Sequence, residues 1–238
     1  MKSLIIKIIN YFKFEKNYKI LKKNNLDITN NINFLKNKTS IKEYNFEKNI
    51  SIEEFKGHLS YLSIGRNTYS GPMHIHGYQG SLRIGKFCSI AGKLILIIGG
   101  GFHDYKLLST YPFFFKSPFK KSFHQNKIDT NKLKKNYITI GNDVWMGVDV
   151  TIIKNIEIGN GAVISAKSVV TENVPPFGIV AGNPGRVIGY RYKDIEIIEL
   201  IQKIKWWNWS DKKIIDNRNI FNLKETELKK ELLKLDSQ

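Results

Sequence analysis

The 238-residue sequence has a single cysteine, Cys88, and comparatively few acidic residues. One cysteine excludes an intrachain disulfide and gives no support to secretion into an oxidising compartment. The 21 aspartates and glutamates are outnumbered by 38 lysines and arginines, so the formal net charge is +17. Because the lysines are spread thinly and no recognition motif or arginine-rich helix accompanies them, we expect no nucleic-acid partner.

Long uninterrupted apolar runs are also missing. The opening segment MKSLIIKIINYF is broken by Lys7 and Asn10, and no small-residue cleavage site follows it. We therefore expect neither a signal peptide nor a membrane span, and a cytoplasmic location. The aliphatic residues of this segment recur at helical spacing, with lysines between them. Two alternatives stay open: a helix packed on protein, or peripheral contact with an anionic membrane surface.

The most informative feature that the chain does contain is a repeat of six residues. From residue 140 it runs IGNDVW, MGVDVT, IIKNIE, IGNGAV, ISAKSV and VTENVP. A short strand followed by a tight bend explains an apolar residue at every sixth position, whereas periods of 3.6 or 2 do not. Three such strands form one coil of a parallel β-helix, with the lead and fifth side chains inside. Cys88, at a fifth position, is then a core residue and not a nucleophile.

The repeat divides the chain into three predicted parts. Residues 1–50 are predicted to form an N-terminal extension that is partly helical. Residues 51–190 are predicted to form the β-helix domain, which a lysine-rich excursion over residues 104–137 interrupts. Residues 191–238 are predicted to form three helices, the second of them beginning after an N-cap at Ser210. We expect these helices to cover the open end of the solenoid. The predicted fold class is mainly β, with a C-terminal helical segment.

Several segments resemble a known family when they are taken in order. IGKFCSIA, STYPF, the hexads, VPPFGIVAGNPGRVI and KIKWWNW are similar to the hexapeptide-repeat acyltransferases, in the xenobiotic branch of chloramphenicol, streptogramin and related sugar O-acetyltransferases. The resemblance covers roughly residues 60–210. It implies a left-handed β-helix, although general crossover rules favour the opposite hand. It also implies a homotrimer that binds acetyl-CoA and an acceptor between neighbouring subunits.

The same resemblance places the catalytic histidine of the family at His103, where the repeat gives way to the excursion. A neutral histidine titrates near working pH and suits the removal of a proton from an attacking hydroxyl. The family more often has Asn immediately before this histidine, and here Phe102 stands in that place.

Six residues are candidates for binding acetyl-CoA. They are Trp145, Gly147, Ala166, Lys167, Asn183 and Arg186. Gly147 permits close approach of the pantetheine arm, and Arg186, where the family usually has Lys, supplies charge for the CoA phosphates. Trp145 is equally an outward aromatic packed on a neighbouring subunit, and the turn that carries Asn183 is equally a structural one.

Three further residues are candidates for binding the acceptor. His74 and His76 lie on one side of an extended segment, where they form either a polar lining of the acceptor cleft or a metal pair, and we expect no metal site. Tyr111, in STYPF, either stacks on a sugar or packs at the base of the excursion.

The predicted function is acetyl-CoA-dependent O-acetylation of a sugar or glycan hydroxyl, and the basic excursion suits an anionic sugar or a nucleotide sugar. Acetylation of an antibiotic, or N-acetylation of an amino sugar, is the alternative within the same chemistry. A zinc-dependent hydratase and a non-catalytic scaffold are the distant alternatives.

Overall fold

The computed structural model of the chain defines which residues can be described. These are residues 40–47, 50–52, 55–77, 80–99, 106–111, 113 and 136–237. His103 and the predicted N-terminal helix lie outside the described residues, as does most of the 104–137 excursion.

Short strands stack into three sheets, which form the faces of a prism. Face 1 contains β1 (Ser40–Phe46), β4 (His58–Ile64), β7 (Gly80–Ile84), β10 (Tyr137–Ile140) and β13 (Ile156–Ile158). Face 2 contains β2 (Ser51–Ile52), β5 (Tyr69–Ser70), β8 (Ser89–Ile90), β11 (Trp145–Met146), β14 (Val163–Ile164), β16 (Gly178–Gly182) and β17 (Gly185–Tyr190). Face 3 contains β3 (Phe55–Lys56), β6 (Met73–His76), β9 (Leu94–Ile97), β12 (Thr151–Ile153) and β15 (Val169–Val170).

Each strand pairs in parallel with the strand one coil away, apart from β17, which pairs antiparallel with β16. The chain visits faces 1, 2 and 3 in turn, so one coil is three strands long. This is the left-handed parallel β-helix expected from the hexads and the resemblance, and that prediction is confirmed.

The hexad register predicts the core correctly. The lead residues from Ile140 to Val170 and the fifth residues from Val144 to Val174 are buried, with no more than 4% of any of them exposed. Cys88, in the same register, is completely buried. A continuous apolar column inside the prism therefore replaces the single core of a layered domain.

The corners of the prism explain why the period is six. The fourth residue of eight hexads adopts a positive φ, close to the left-handed helical region, and so does Phe177 in the bend that leads into β16. Asn, Asp and Gly, which tolerate this conformation best, occupy five of these positions. The others are Phe87, Lys93, Lys167 and Phe177. Each bend therefore depends on a left-handed backbone conformation at one position, which side chains other than Asn, Asp and Gly also adopt here.

The first face begins earlier than the sequence indicates. β1 (Ser40–Phe46) lies within the range assigned to the N-terminal extension, and it pairs with β4 over its length. An edge strand needs only backbone pairing with its neighbour, so no hexad marks it in the sequence.

Three helices follow the last strand, as the sequence predicts. They are α1 (Ile195–Ile204), α2 (Asp211–Asp216) and α3 (Glu225–Asp236), with 3-10 turns at Trp206–Asn208 and Arg218–Asn222. Ser210 is the N-cap of α2, where its hydroxyl accepts a hydrogen bond of 3.1 Å from the Lys213 N–H. None of the helices within the described ranges combines the length and the apolarity that crossing a bilayer requires.

The helices do not cover the open end of the solenoid, and that expectation is wrong. They lie along the first corner, between faces 1 and 2, where they contact successive coils. Gln202 of α1 accepts a hydrogen bond from Asn160 at 2.9 Å, and Asp211 of α2 forms an ion pair with Arg66. The apolar side of α1 packs on Phe177 of this corner, and β17 pairs with the edge of β16 instead. The hairpin therefore protects the strand edge, which leaves the helices free to bury their apolar faces against the corner.

Candidate functional site

The second corner, between faces 2 and 3, brings together most of the residues predicted to bind acetyl-CoA. Gly147 and Ala166 stack on each other in successive coils, and the Lys167 N–H donates to the Val148 carbonyl at 2.8 Å. A Cβ placed on Gly147 would lie 2.6 Å from the Ala166 nitrogen, which is too close for any side chain. Packing of the coils therefore requires glycine at position 147 even when no ligand is bound.

The turn between β16 and β17 continues this corner by one coil. Asn183 lies in the turn and Arg186 is the second residue of β17, paired with Ala181. The stacking is direct, since the Ser165 N–H donates to the Val180 carbonyl at 2.9 Å. The structure thus places Asn183 and Arg186 one coil away from Ala166 and Lys167, which in turn lie one coil away from Gly147.

The side chains on the second corner leave positive charge at the surface. The Arg186 guanidinium donates to its neighbour's carbonyl, that of Gly185, at 2.9 Å and lies 3.5 Å from Glu172. Lys93, one coil below Gly147, lies 3.9 Å from Asp149. Both pairs are exposed and loosely made, so they restrain the cations weakly. The corner can therefore present Lys93, Lys167 and Arg186 to an anionic ligand.

Face 2 adds two large aromatic side chains beside this corner. Trp145 on β11 is 53% exposed, and Tyr69 on β5 is 55% exposed. Both are in register with Ser89 on β8, the strand between them. With strands about 4.8 Å apart, the two rings flank a gap of about 9.6 Å with a small residue at its centre. Such a gap admits one ring-shaped group between two aromatic walls.

Tyr69 was not among the residues that the sequence analysis singled out. The signal was present, because Tyr69, Ser89 and Trp145 each precede the buried residue of a face 2 strand. Equivalent positions in a solenoid stack in space, so an exposed aromatic at one of them indicates neighbours at the others.

The two candidate histidines lie on another part of the prism. His74 and His76 both point outward from β6 on face 3, with His76 the more exposed. The His76 carbonyl accepts hydrogen bonds from the Ile98 and Gly99 N–H groups, which follow β9. Tyr111 is half-exposed and packs edge to face on Phe113, with ring centroids 4.9 Å apart. These contacts do not join Tyr111 to either histidine.

Cys88 is chemically inert in this fold. Burial raises the pKa of its thiol to about 12, although hydrogen bonds from its surroundings lower it. Its Sγ lies 3.1 Å from the Gly141 carbonyl, inside the first corner. In the described parts of the chain, no group of three His, Cys, Asp or Glu side chains is arranged to hold a metal ion.

Comparisons with known proteins connect this geometry to an activity. No family model matches the chain. It is 40% identical over 154 residues to a probable macrolide acetyltransferase of Lysinibacillus sphaericus, which covers 64% of this chain and 83% of that protein. It is 36% identical over 168 residues to a chloramphenicol acetyltransferase of Klebsiella aerogenes, covering 64% of this chain and 78% of that protein.

A third relative is named for a sugar substrate. The chain is 27% identical over 179 residues to the galactoside O-acetyltransferase of Escherichia coli strain K12, covering 68% of this chain and 85% of that protein. The macrolide and chloramphenicol acetyltransferases are each more than 30% identical to the chain over more than three quarters of their own length. With the hexad solenoid they show that the chain belongs to the hexapeptide-repeat acetyltransferases, in the branch of the chloramphenicol and macrolide enzymes.

Proposed function

We propose that the chain transfers the acetyl group of acetyl-CoA to a hydroxyl group of a small acceptor, as a cytoplasmic homotrimer with its sites between neighbouring subunits. The observation that carries the proposal is the second corner, on which Gly147, Ala166, Lys167, Asn183 and Arg186 lie together. Membership of an acetyltransferase family gives this corner a donor to bind.

The chemistry of the corner suits coenzyme A. A surface without a side chain at Gly147 lets a slender pantetheine arm lie against the backbone. Lys167 and Arg186 offer positive charge to phosphates, and Arg186 can do so with two parallel hydrogen bonds. Since the contact between Arg186 and Glu172 is exposed and 3.5 Å long, little is lost when the guanidinium turns to a phosphate.

His103 is proposed as the general base. Its neutral imidazole accepts the proton of the acceptor hydroxyl while the oxygen attacks the thioester carbonyl carbon. The resulting tetrahedral intermediate collapses, the C–S bond breaks, and the imidazolium returns its proton to the departing thiolate. The products are the acetylated acceptor and free CoA, and this catalysis contributes about 10²–10⁴ in rate. The proposal is supported by the resemblance at His103, and by Gly99, four residues before it, whose N–H donates to the His76 carbonyl at 3.2 Å and so joins this end of the described segment to β6.

The acceptor class that the comparisons favour is an antibiotic, because the relatives of higher identity are named for a macrolide and for chloramphenicol. A sugar or glycan is the second candidate, supported by the galactoside O-acetyltransferase at 27% identity. The gap between Tyr69 and Trp145 suits either class, since its aromatic walls stack on rings and on the apolar faces of sugars.

The test is a panel of acceptors with acetyl-CoA, with CoA release followed by a thiol reagent. Chloramphenicol, a macrolide and a galactoside represent the named relatives. The buried Cys88 gives the assay little background from the folded protein. We expect His103→Ala to lower kcat by about 10²–10⁴ and His124→Ala, at the histidine within the excursion, to leave it unchanged.

Two results would contradict the proposal. Undiminished turnover in His103→Ala would show that His103 is not the general base. Binding of acetyl-CoA without transfer to any hydroxyl would favour a non-catalytic scaffold protein. The aromatic gap has its own variant: Tyr69→Ala should raise the KM for the acceptor and leave that for acetyl-CoA unchanged. Tyr190→Ala, an exposed tyrosine of β17, is the matched control.

A further inference from the structure

A cavity lies between the first corner and the C-terminal helices, away from the second corner. Its volume is about 260 Å³. Aliphatic and aromatic side chains of α1, α3 and the two 3-10 turns form most of its wall, and they include Ile201, Trp206, Leu228 and Leu232. The helices therefore pack on the solenoid without filling the space between them.

The charged residues of the cavity wall are Asp143 and Arg191, and their charges cancel. Asp143 of the first corner accepts a hydrogen bond of 2.8 Å from Arg191, which also donates to the Gly161 carbonyl at 3.1 Å. The Arg191 guanidinium lies over the rings of Phe177 and Tyr192. A carboxylate has about four acceptor sites, so Asp143 can accept a further hydrogen bond from a ligand in the cavity.

The cavity is accessible from solvent. The Arg191 side chain is 30% exposed, and Phe221, on another part of the wall, is 43% exposed. Phe221 packs edge to face on Trp206, with centroids 5.0 Å apart. A molecule that enters past these two side chains meets apolar walls inside.

Size and polarity together define the ligand. A dry cavity of about 150 Å³ lined by Leu, Ile and Phe holds benzene, so this one has room for two fused rings. An ion would lose its hydration against apolar walls with no unpaired counter-charge, because Asp143 and Arg191 neutralise each other. We propose that this cavity is a binding site for a neutral bicyclic aromatic compound that carries an N–H or O–H donor, held by Asp143.

The probe is indole, which has two fused rings and one N–H donor. Titration calorimetry should show saturable binding of indole to the full chain. Indene, a hydrocarbon of the same shape, should bind about tenfold more weakly, because it gives Asp143 no hydrogen bond. Indole-3-acetate should bind more weakly than indole, because it brings an uncompensated charge.

Variants identify the site. Leu232→Phe adds volume at a buried position of the wall and should abolish indole binding. Leu233→Phe, at the next position of α3 but exposed and outside this wall, should bind indole as the unaltered chain does. Asp143→Asn should reduce the preference for indole over indene without closing the cavity.

Three outcomes would overturn the proposal. They are no saturable binding of indole, equal loss or equal retention of binding in Leu232→Phe and Leu233→Phe, and equal affinity for indole and indene. Because the readout is binding and not turnover, failure here leaves the acetyl-transfer proposal untouched.

Discussion

Replacing Gly147 with alanine tests how closely the coils approach at the second corner. The added Cβ would lie 2.6 Å from the nitrogen and 2.8 Å from the Cα of Ala166. Both are backbone atoms, so no rotamer change relieves the contact. Reaching an ordinary separation of 3.4 Å requires a shift of about 0.8 Å between two coils that backbone hydrogen bonds hold together.

The expected cost follows from this geometry. Overpacking of a well-ordered interior costs about 1–3 kcal/mol. Alanine also restricts the unfolded chain, which offsets about 0.4–1 kcal/mol of that cost. The net loss is then about 1–2 kcal/mol. In urea unfolding this lowers the midpoint by about 0.5–1 M with an unchanged slope.

Gly189→Ala is the matched control, because a Cβ on Gly189 meets nothing within 4 Å and its φ is not in the left-handed region. Its midpoint should be unchanged or slightly higher. Both variants are compared at one protein concentration, since association would shift the midpoints. Gly147→Ala could instead match Gly189→Ala in stability and raise only the KM for acetyl-CoA. That result would refute close packing of the coils as the reason for glycine at position 147, and would leave access for acetyl-CoA as the explanation.

Three further predictions concern the first corner and the core. Cys88 should react with a thiol reagent only after unfolding, since burial raises its pKa to about 12; one equivalent titrated at pH 8 under native conditions would contradict this. Burial raises the pKa of Asp143 above its ordinary 3.8 despite the attraction of Arg191. Its contribution to stability is therefore largest below pH 3.8 and is lost as the pH rises through the folded-state pKa. The stability of Asp143→Asn relative to the unaltered chain should therefore increase as the pH rises above 3.8, and a relative change of opposite sign in the urea midpoints would reject the assignment. Ser210→Ala should lower stability by about 0.5–1 kcal/mol, because it removes the hydrogen bond to the Lys213 N–H; an unchanged midpoint would show that α2 does not depend on its cap.

Much of the fold could be predicted from the sequence because each hexad is a local unit. The lead residue Ile152 and the fifth residue Ala162 were placed inside from their register alone, and both are completely buried. The three helices were predicted from their own caps and periodicity, which are also local properties. Strand β1 was missed because its pairing with β4 depends on a neighbour and not on a repeat.

Only part of the candidate site could be predicted from the sequence. The second corner was predicted because Gly147, Ala166 and Lys167 belong to uninterrupted hexads, whose stacking follows from counting. Tyr69 was missed, since the long excursion and two coils separate it from Trp145 in the chain. The catalytic role of His103 stays a prediction from resemblance.

The sequence by itself determined the six-residue period, the inward positions and the existence of the corners, because each depends on residues within one turn of the chain. The tertiary structure decided where the helices pack, that Tyr69 and Trp145 flank one gap, and that a cavity remains between α1, α3 and the first corner. These features depend on side-chain shape across coils that are far apart in sequence. The period of the sequence specifies which side chains point inward, whereas only the packing of side chains specifies which surfaces fit together and where a cavity remains.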